Sequence, residues 1–195
     1  MIQLPKRAKV CSSLIGALML AAIAPFSSPL NAVQLSDGTT VFESPPRLVS
    51  FVTTRNRTYD RRATYYVTID LLPEAGEPLK TLQVSLSQGR FTQLDYRLDD
   101  IEVFQGDRNQ RGAAFPISSA EYDDDTQTLT IHLATAAEPG QTLTFALRPV
   151  RNPTREGVYL FNVMAAPEGD LPVFQRVGTG RLHIFRPDGR DPFDF

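Results

Sequence analysis

The sequence has no tryptophan, one cysteine, two histidines and three lysines among 195 residues. A single cysteine, Cys11, excludes a disulfide framework and a zinc site built from thiolates. Neither sign of charge dominates: 20 Lys and Arg face 22 Asp and Glu, for a formal charge of −2. Such a balance supplies no concentrated basic surface for nucleic acid. Gly-x-Ser-x-Gly elbows, Gly-Lys-Ser/Thr phosphate loops and His-Glu-x-x-His segments are absent. Long apolar runs are lacking too, with one exception near the start.

That exception is Val10 to Ala24 (VCSSLIGALMLAAIA), preceded by Lys6, Arg7 and Lys9 and followed by a Pro/Ser-rich stretch ending Leu30-Asn31-Ala32. A basic segment, an apolar core and a small-residue end are the order of a secretory leader. The core is shorter than the ~20 residues of a membrane helix, and Pro25 and Pro29 prevent its extension. Residues 1–32 are therefore read as a signal peptide cleaved after Ala32, with no transmembrane span left afterwards. Removing them, with their three basic and no acidic groups, takes the basic count from 20 to 17 against 22 acidic, a formal charge of −5. The product has no cysteine and must hold its fold by core burial alone. Its expected address is the periplasm, cell envelope or exterior.

Beyond the leader the chain reads as strands and turns. In Ala63–Leu71 (ATYYVTIDL) apolar residues occupy every odd position, the period-two pattern of a half-buried strand. Thr81–Leu86, Thr128–Ala134, Thr142–Arg148 and Arg181–Phe185 repeat it, while Val158–Ala165 is apolar on both faces and predicts a central, doubly covered strand. Arg47–Thr53 and Ile101–Phe104 are shorter candidates, and a helical turn near Glu74–Leu82 is compatible with the pattern. Gly, Pro, Asn and Asp clusters punctuate these runs. About eight short strands with frequent turns predict an all-β fold, a single antiparallel β-sandwich of immunoglobulin-like type over 33–185, with a small closed β-barrel as runner-up. Residues 186–195 (RPDGRDPFDF) read as a flexible tail.

Candidate chemistry is sparse. His132 and His183 alternate with inward-facing residues and so point away from the core; they are read as surface histidines. Asp99-Asp100 and the run Glu121–Asp125 are read as surface or turn carboxylates, because a calcium loop spaces its ligands and includes a glycine. The most suggestive cluster is Arg55-Asn56-Arg57-Thr58-Tyr59-Asp60-Arg61-Arg62. Arginine forks suit carboxylate, sulfate or phosphate, and Tyr59 can stack on a ligand. Arg55, Arg57, Tyr59, Arg61 and Arg62 are thus the candidate binding residues, with an envelope protein or an anionic glycan as partner. The competing reading pairs this loop with the acidic segment Asp95–Asp107. In Arg148-Pro149-Val150-Arg151-Asn152-Pro153, two prolines stiffen the chain and Arg148, Arg151 and Asn152 are expected to form a structural corner that locks the following turn against Val158–Ala165.

Several phrases carry a resemblance: Ala32–Thr39 (AVQLSDGT), Ala63-Thr64-Tyr65-Tyr66, Ala75–Leu79 (AGEPL), Leu147–Pro153 (LRPVRNP), Gly157–Phe161 (GVYLF) and Gly180–His183 (GRLH). In this order they resemble the domain of unknown function 2808 family of exported cyanobacterial proteins. The resemblance implies export and a single domain, and supplies no activity. Arg55–Arg62 is where this chain departs most from the family's pattern. With no catalytic motif and no cofactor expected, the sequence points to a non-enzymatic binding module. A structural component of an envelope assembly, or a hydrolase whose site forms only in three dimensions, is the alternative.

Overall fold

The computed structural model describes residues 38–89 and 94–187. The expected leader, with Cys11 and the cleavage point, lies outside them, as do residues 188–195 of the expected tail. Ten strands succeed one another: β1 (Arg47–Thr53), β2 (Tyr65–Asp70), β3 (Leu79–Gln88), β4 (Glu102–Gly106), β5 (Arg111–Phe115), β6 (Ile117–Asp123), β7 (Thr128–Ala137), β8 (Thr142–Leu147), β9 (Gly157–Pro167) and β10 (Gln175–Ile184). They form two five-stranded antiparallel sheets, ordered β1-β2-β8-β4-β5 and β10-β9-β3-β7-β6. This is the all-β sandwich that the alternation predicts.

The inward residues of the alternating runs make the core. Tyr65, Val67 and Ile69 of β2 and Leu143, Phe145 and Leu147 of β8 face Leu82, Val84, Leu129, Ile131, Tyr159, Phe161 and Val163 of the second sheet, all essentially buried. Phe51 stacks on Phe161 at 4.9 Å, and Tyr65 meets Phe161 edge-on at 6.0 Å. Each large apolar side chain removed from water contributes about 1.5–3 kcal/mol against the entropy of ordering the chain.

The two sides of the sandwich are closed differently. On one side β1 lies against β10, where a Cβ on Gly178 would stand 2.7 Å from Cβ of Leu48 and one on Gly180 would run into the Phe51 ring. Glycine is needed at both positions for close approach. On the other side the chain passes from β5 directly into β6 through Pro116, changing sheets where a missing N–H costs no ladder bond. Phe115 and Ile117 pack on the core at that crossing.

A hairpin also covers the outer face of the first sheet. Gly106 turns the chain after β4 at φ +85°, and a Cβ there would collide with the Gln110 carbonyl. Thr144 Oγ1 donates to the Gly106 carbonyl at 2.7 Å and lies 2.9 Å from Thr68 Oγ1. The guanidinium of Arg111 lies 4.4 Å from the Phe104 ring centroid and bonds Glu102 at 2.6 Å, while Arg108 lies 6.0 Å from that of Tyr66. Phe104, Thr68, Thr144 and Ala146 are buried as a result.

Several expectations need correction. β9 is not a doubly covered central strand: it adjoins the edge strand β10, and Val158 on its outer side is 39% exposed. The apolar residues on its outer side, Leu160 and Met164, are partly exposed rather than under a second covering layer. β5 and the first half of β6 carry no alternation legible in the sequence, because β5 is exposed at four of its five residues. β10 starts at Gln175, six residues before the run that marks it, since glycines occupy its inward positions. The turn near Glu74–Leu82 shrinks to a 3-10 turn over Pro73–Ala75, and β3 takes the rest.

Candidate functional site

The loop between β1 and β2 carries the basic cluster. Its base is tied by Thr54 N–H to the Thr64 carbonyl at 3.0 Å and by Thr64 N–H to Thr54 Oγ1 at 3.0 Å. Above that base the backbone is gripped from two directions. From just past β10, Phe185 N–H donates to the Asn56 carbonyl at 2.7 Å and the Phe185 carbonyl accepts from Thr58 N–H at 2.8 Å. From the other direction comes Asn152, whose side chain is completely buried.

Asn152 uses both ends of its amide. Nδ2 donates to the carbonyls of Arg55 at 2.9 Å and Arg57 at 2.8 Å, and Oδ1 accepts from the Tyr65 hydroxyl at 2.9 Å. Its own backbone N–H donates to the Asp60 carbonyl at 2.8 Å. The Tyr65 hydroxyl loses water and sits near Tyr159, and burial, more than that neighbour, holds its pKa well above the ordinary phenol value. Asn152 therefore fixes the basic loop. The corner expected to lock the turn before Val158–Ala165 instead locks residues 55–60, and Arg151 is exposed. Arg148 donates to Thr64 Oγ1 at 2.9 Å, bracing the loop's base.

With its backbone held, the loop turns its side chains outward. Arg55, Arg57, Tyr59, Arg61 and Arg62 are all exposed, and Tyr59 adopts a left-handed φ of 60° with 59% of its surface accessible. Arg55 and Arg62 each stand 3.9 Å from a carboxylate oxygen of Asp60, a separation at which an exposed pair contributes little. Among the described residues, Arg57 and Arg61 form no ion pair. The expected pairing with the acidic segment Asp95–Asp107 is thus replaced by Asp60 inside the loop itself. That segment touches the loop through a cation, Arg97, whose Nη2 donates to the carbonyls of Arg61 at 3.1 Å and Pro149 at 3.3 Å.

Beside Arg61 opens a cleft of about 410 Å³ lined by Arg61, Asp95, Asp124, Val150 and Arg151. Asp95 and Asp124 help hold the nearby Tyr122 hydroxyl protonated: burial first, then these carboxylates and Asp123, push its pKa up to about 12. Sequence reasoning misses Asn152's hold on the loop and the roles of Tyr65 and Arg97, because partners 36 to 97 residues apart leave no local pattern. The Asn-Pro pair in the 148–153 motif is the one usable signal.

The histidines lie elsewhere, on the outer face of the second sheet. His132 Nδ1 is 3.0 Å from Thr81 Oγ1, and His183 Nε2 is 3.1 Å from Arg181 Nη2. Among the described residues, no three His, Cys, Asp or Glu side chains gather as a metal site would, and no helix is long and apolar enough to cross a membrane.

Several solved domains align with part of this chain. The collagen-binding domain of a Staphylococcus aureus adhesin aligns at 8% identity over 70% of this chain and 97% of its own, with a TM-score of 0.38. Domains D2 and D3 of the major pilin SpaD from Corynebacterium diphtheriae align at 15% identity over 68% of this chain and 50% of theirs, with a TM-score of 0.45. The C-terminal domain of the Streptococcus pyogenes antigen I/II-family protein AspA aligns at 12% identity over 69% of this chain and 46% of its own, with a TM-score of 0.39. No curated protein matches the sequence. A family described as "Protein of unknown function (DUF2808)" matches residues 39–184, which span both sheets, and the chain belongs to that family.

Proposed function

We propose that this domain is a non-catalytic binding module of the cell envelope, and that the loop 55–62 is its contact surface for an acidic partner. The supporting observation is the division of labour at Asn152: a buried amide holds the loop's carbonyls while four guanidinium groups stay in solvent. A loop fixed before contact loses little conformational entropy on binding, and arginine matches a carboxylate or sulfate in a planar, two-pronged geometry. Export by the N-terminal leader is the premise of this address. The partner we favour is a protein with an acidic surface; an anionic glycan presents the same chemistry and is the alternative outcome.

The test is affinity capture from envelope extract with the protein and with a variant in which Arg55, Arg57, Arg61 and Arg62 are alanine. A reproducible partner, lost in the variant and weakened by salt, is expected. Pretreating the extract with protease or with glycan-degrading enzymes distinguishes the two partner classes. Equal recovery by both proteins would refute the assignment.

A further inference from the structure

The outer face of the second sheet has a charge arrangement that the basic loop does not explain. Its three central strands carry no formal charge over Thr81–Ser87, Thr128–His132 and Val158–Met164. Outward from them point Gln83 and Ser85 of β3, Thr128 and Thr130 of β7, and Asn162 and Met164 of β9, all half-buried. Apart from Lys80 near the start of β3, whose charge is matched by Glu168 at 3.2 Å, the charge lies on the two flanking strands and is of opposite sign on each. Arg176 and Arg181 are exposed on β10, and Glu121 and Asp123 are exposed on β6.

The register aligns these charges in rows. Arg176 pairs with Met164, Met164 with Gln83, Gln83 with Thr130 and Thr130 with Glu121, so one row runs from cation to anion across all five strands. The adjacent row runs Thr179, Asn162, Ser85, Thr128, Asp123. Arg176 leans toward this second row by donating to Thr179 Oγ1 at 2.8 Å. Asp123 accepts from the Thr126 hydroxyl and from the backbone N–H groups of Asp125 and Thr126, which lowers its pKa and keeps it anionic.

A face with a positive edge, a neutral middle and a negative edge is self-complementary under one two-fold axis only. If the axis lies in the face parallel to the strands, rotation exchanges left and right and leaves height unchanged. It sets each β10 over the other copy's β6, and β3 over β3. An axis across the strands would set β10 over β10 and oppose like charges.

We propose that this face is the interface of a symmetric homodimer whose two-fold axis runs along β3, with Arg176 of each copy opposite Glu121 of the other and Thr179, toward which Arg176 leans, opposite Asp123. Gln83 then meets Gln83 of the second copy, and Met164 meets Thr130, placing apolar atoms against a threonine methyl. Five strands spaced about 4.8 Å apart offer a contact that buries on the order of 1,000 Å² across both partners, the low end of specific interfaces and the size of a weak, reversible dimer. The interface is isologous and closes without leaving a free copy of itself.

Sedimentation equilibrium of the purified protein, from micromolar to about 100 µM, should show a monomer–dimer equilibrium that weakens with salt. Gln83→Glu and Gln83→Lys should each abolish the dimer, because each brings like charges together at the axis. An equimolar mixture of the two variants should restore it as a heterodimer, which also shows that both are folded. Arg176→Glu should raise the dissociation constant roughly tenfold, and adding Glu121→Arg should recover it. A wild-type monomer throughout, dimerisation by either Gln83 variant alone, or a mixture that stays monomeric would overturn the proposal.

Discussion

Two arginine-bearing connections join neighbouring strands of the first sheet, and they use the same side chain in opposite ways. In the β4–β5 hairpin the guanidinium groups turn back onto the protein: Arg111 covers Phe104 and binds Glu102, and Arg108 faces Tyr66. In the 55–62 loop the backbone is held from beneath by Asn152, and the guanidinium groups face solvent. The first arrangement makes arginine a packing residue whose removal uncovers an aromatic ring. The second leaves it in solvent, where its removal should leave the scaffold unchanged. Counting arginines cannot separate these roles; what holds the backbone does.

Breaking the anchor should have the largest effect. Asn152→Ala leaves the carbonyls of Arg55 and Arg57 and the Tyr65 hydroxyl without their partner, and should cost roughly 3–5 kcal/mol in urea denaturation. Alkali should attack the same anchor, and the separately buried Tyr96, without mutation. Burial raises the folded-state pKa of Tyr65 and of Tyr96, so the stability they carry is complete below the unfolded phenol value near 10 and is lost as pH rises above it. Each contributes a loss of about 1.4 kcal/mol per pH unit in that window, and urea midpoints at pH 9 to 11 in wild type and Tyr65→Phe should differ in slope accordingly.

The hairpin should respond next. Gly106→Ala forces a side chain into a left-handed turn against the Gln110 carbonyl and should cost roughly 2 kcal/mol, read from the melting midpoint. Arg111→Ala should cost about 1 kcal/mol through lost cover of Phe104. Smallest of all, Arg57→Ala should change stability by less than about 0.5 kcal/mol while weakening partner capture. If Arg57→Ala destabilised the fold as much as Arg111→Ala, the two excursions would not differ in kind.

Much of the sandwich was legible because half-buried strands write their burial in alternate letters, as Tyr65, Val67 and Ile69 do. The strands that escaped lack that script: β5 is exposed nearly throughout, and the first half of β10 carries Gly178 and Gly180 where Leu48 and Phe51 approach. The basic loop was legible as a cluster of like charges. Its support was not, since Asn152 reaches it from 95 and 97 residues away, and its internal counter-ion Asp60 is outweighed in the sequence by a more distant acidic run. The charge rows of the second sheet were invisible for a different reason: they exist only after register sets five separate segments side by side.

The seam between β1 and β10 has a mechanical consequence. Because Asn56 and Arg57, just past β1, meet Phe185, just past β10, the first and last strands run in the same direction along that side. Tension applied between the start of β1 and the end of β10 therefore enters at one end of the sandwich and leaves at the other, parallel to the strands. The backbone bonds of β1 to β2 and of β10 to β9 are loaded in shear, all sharing the force at once, instead of opening one by one like a zipper. A domain threaded in this way is suited to bearing a pull along its length.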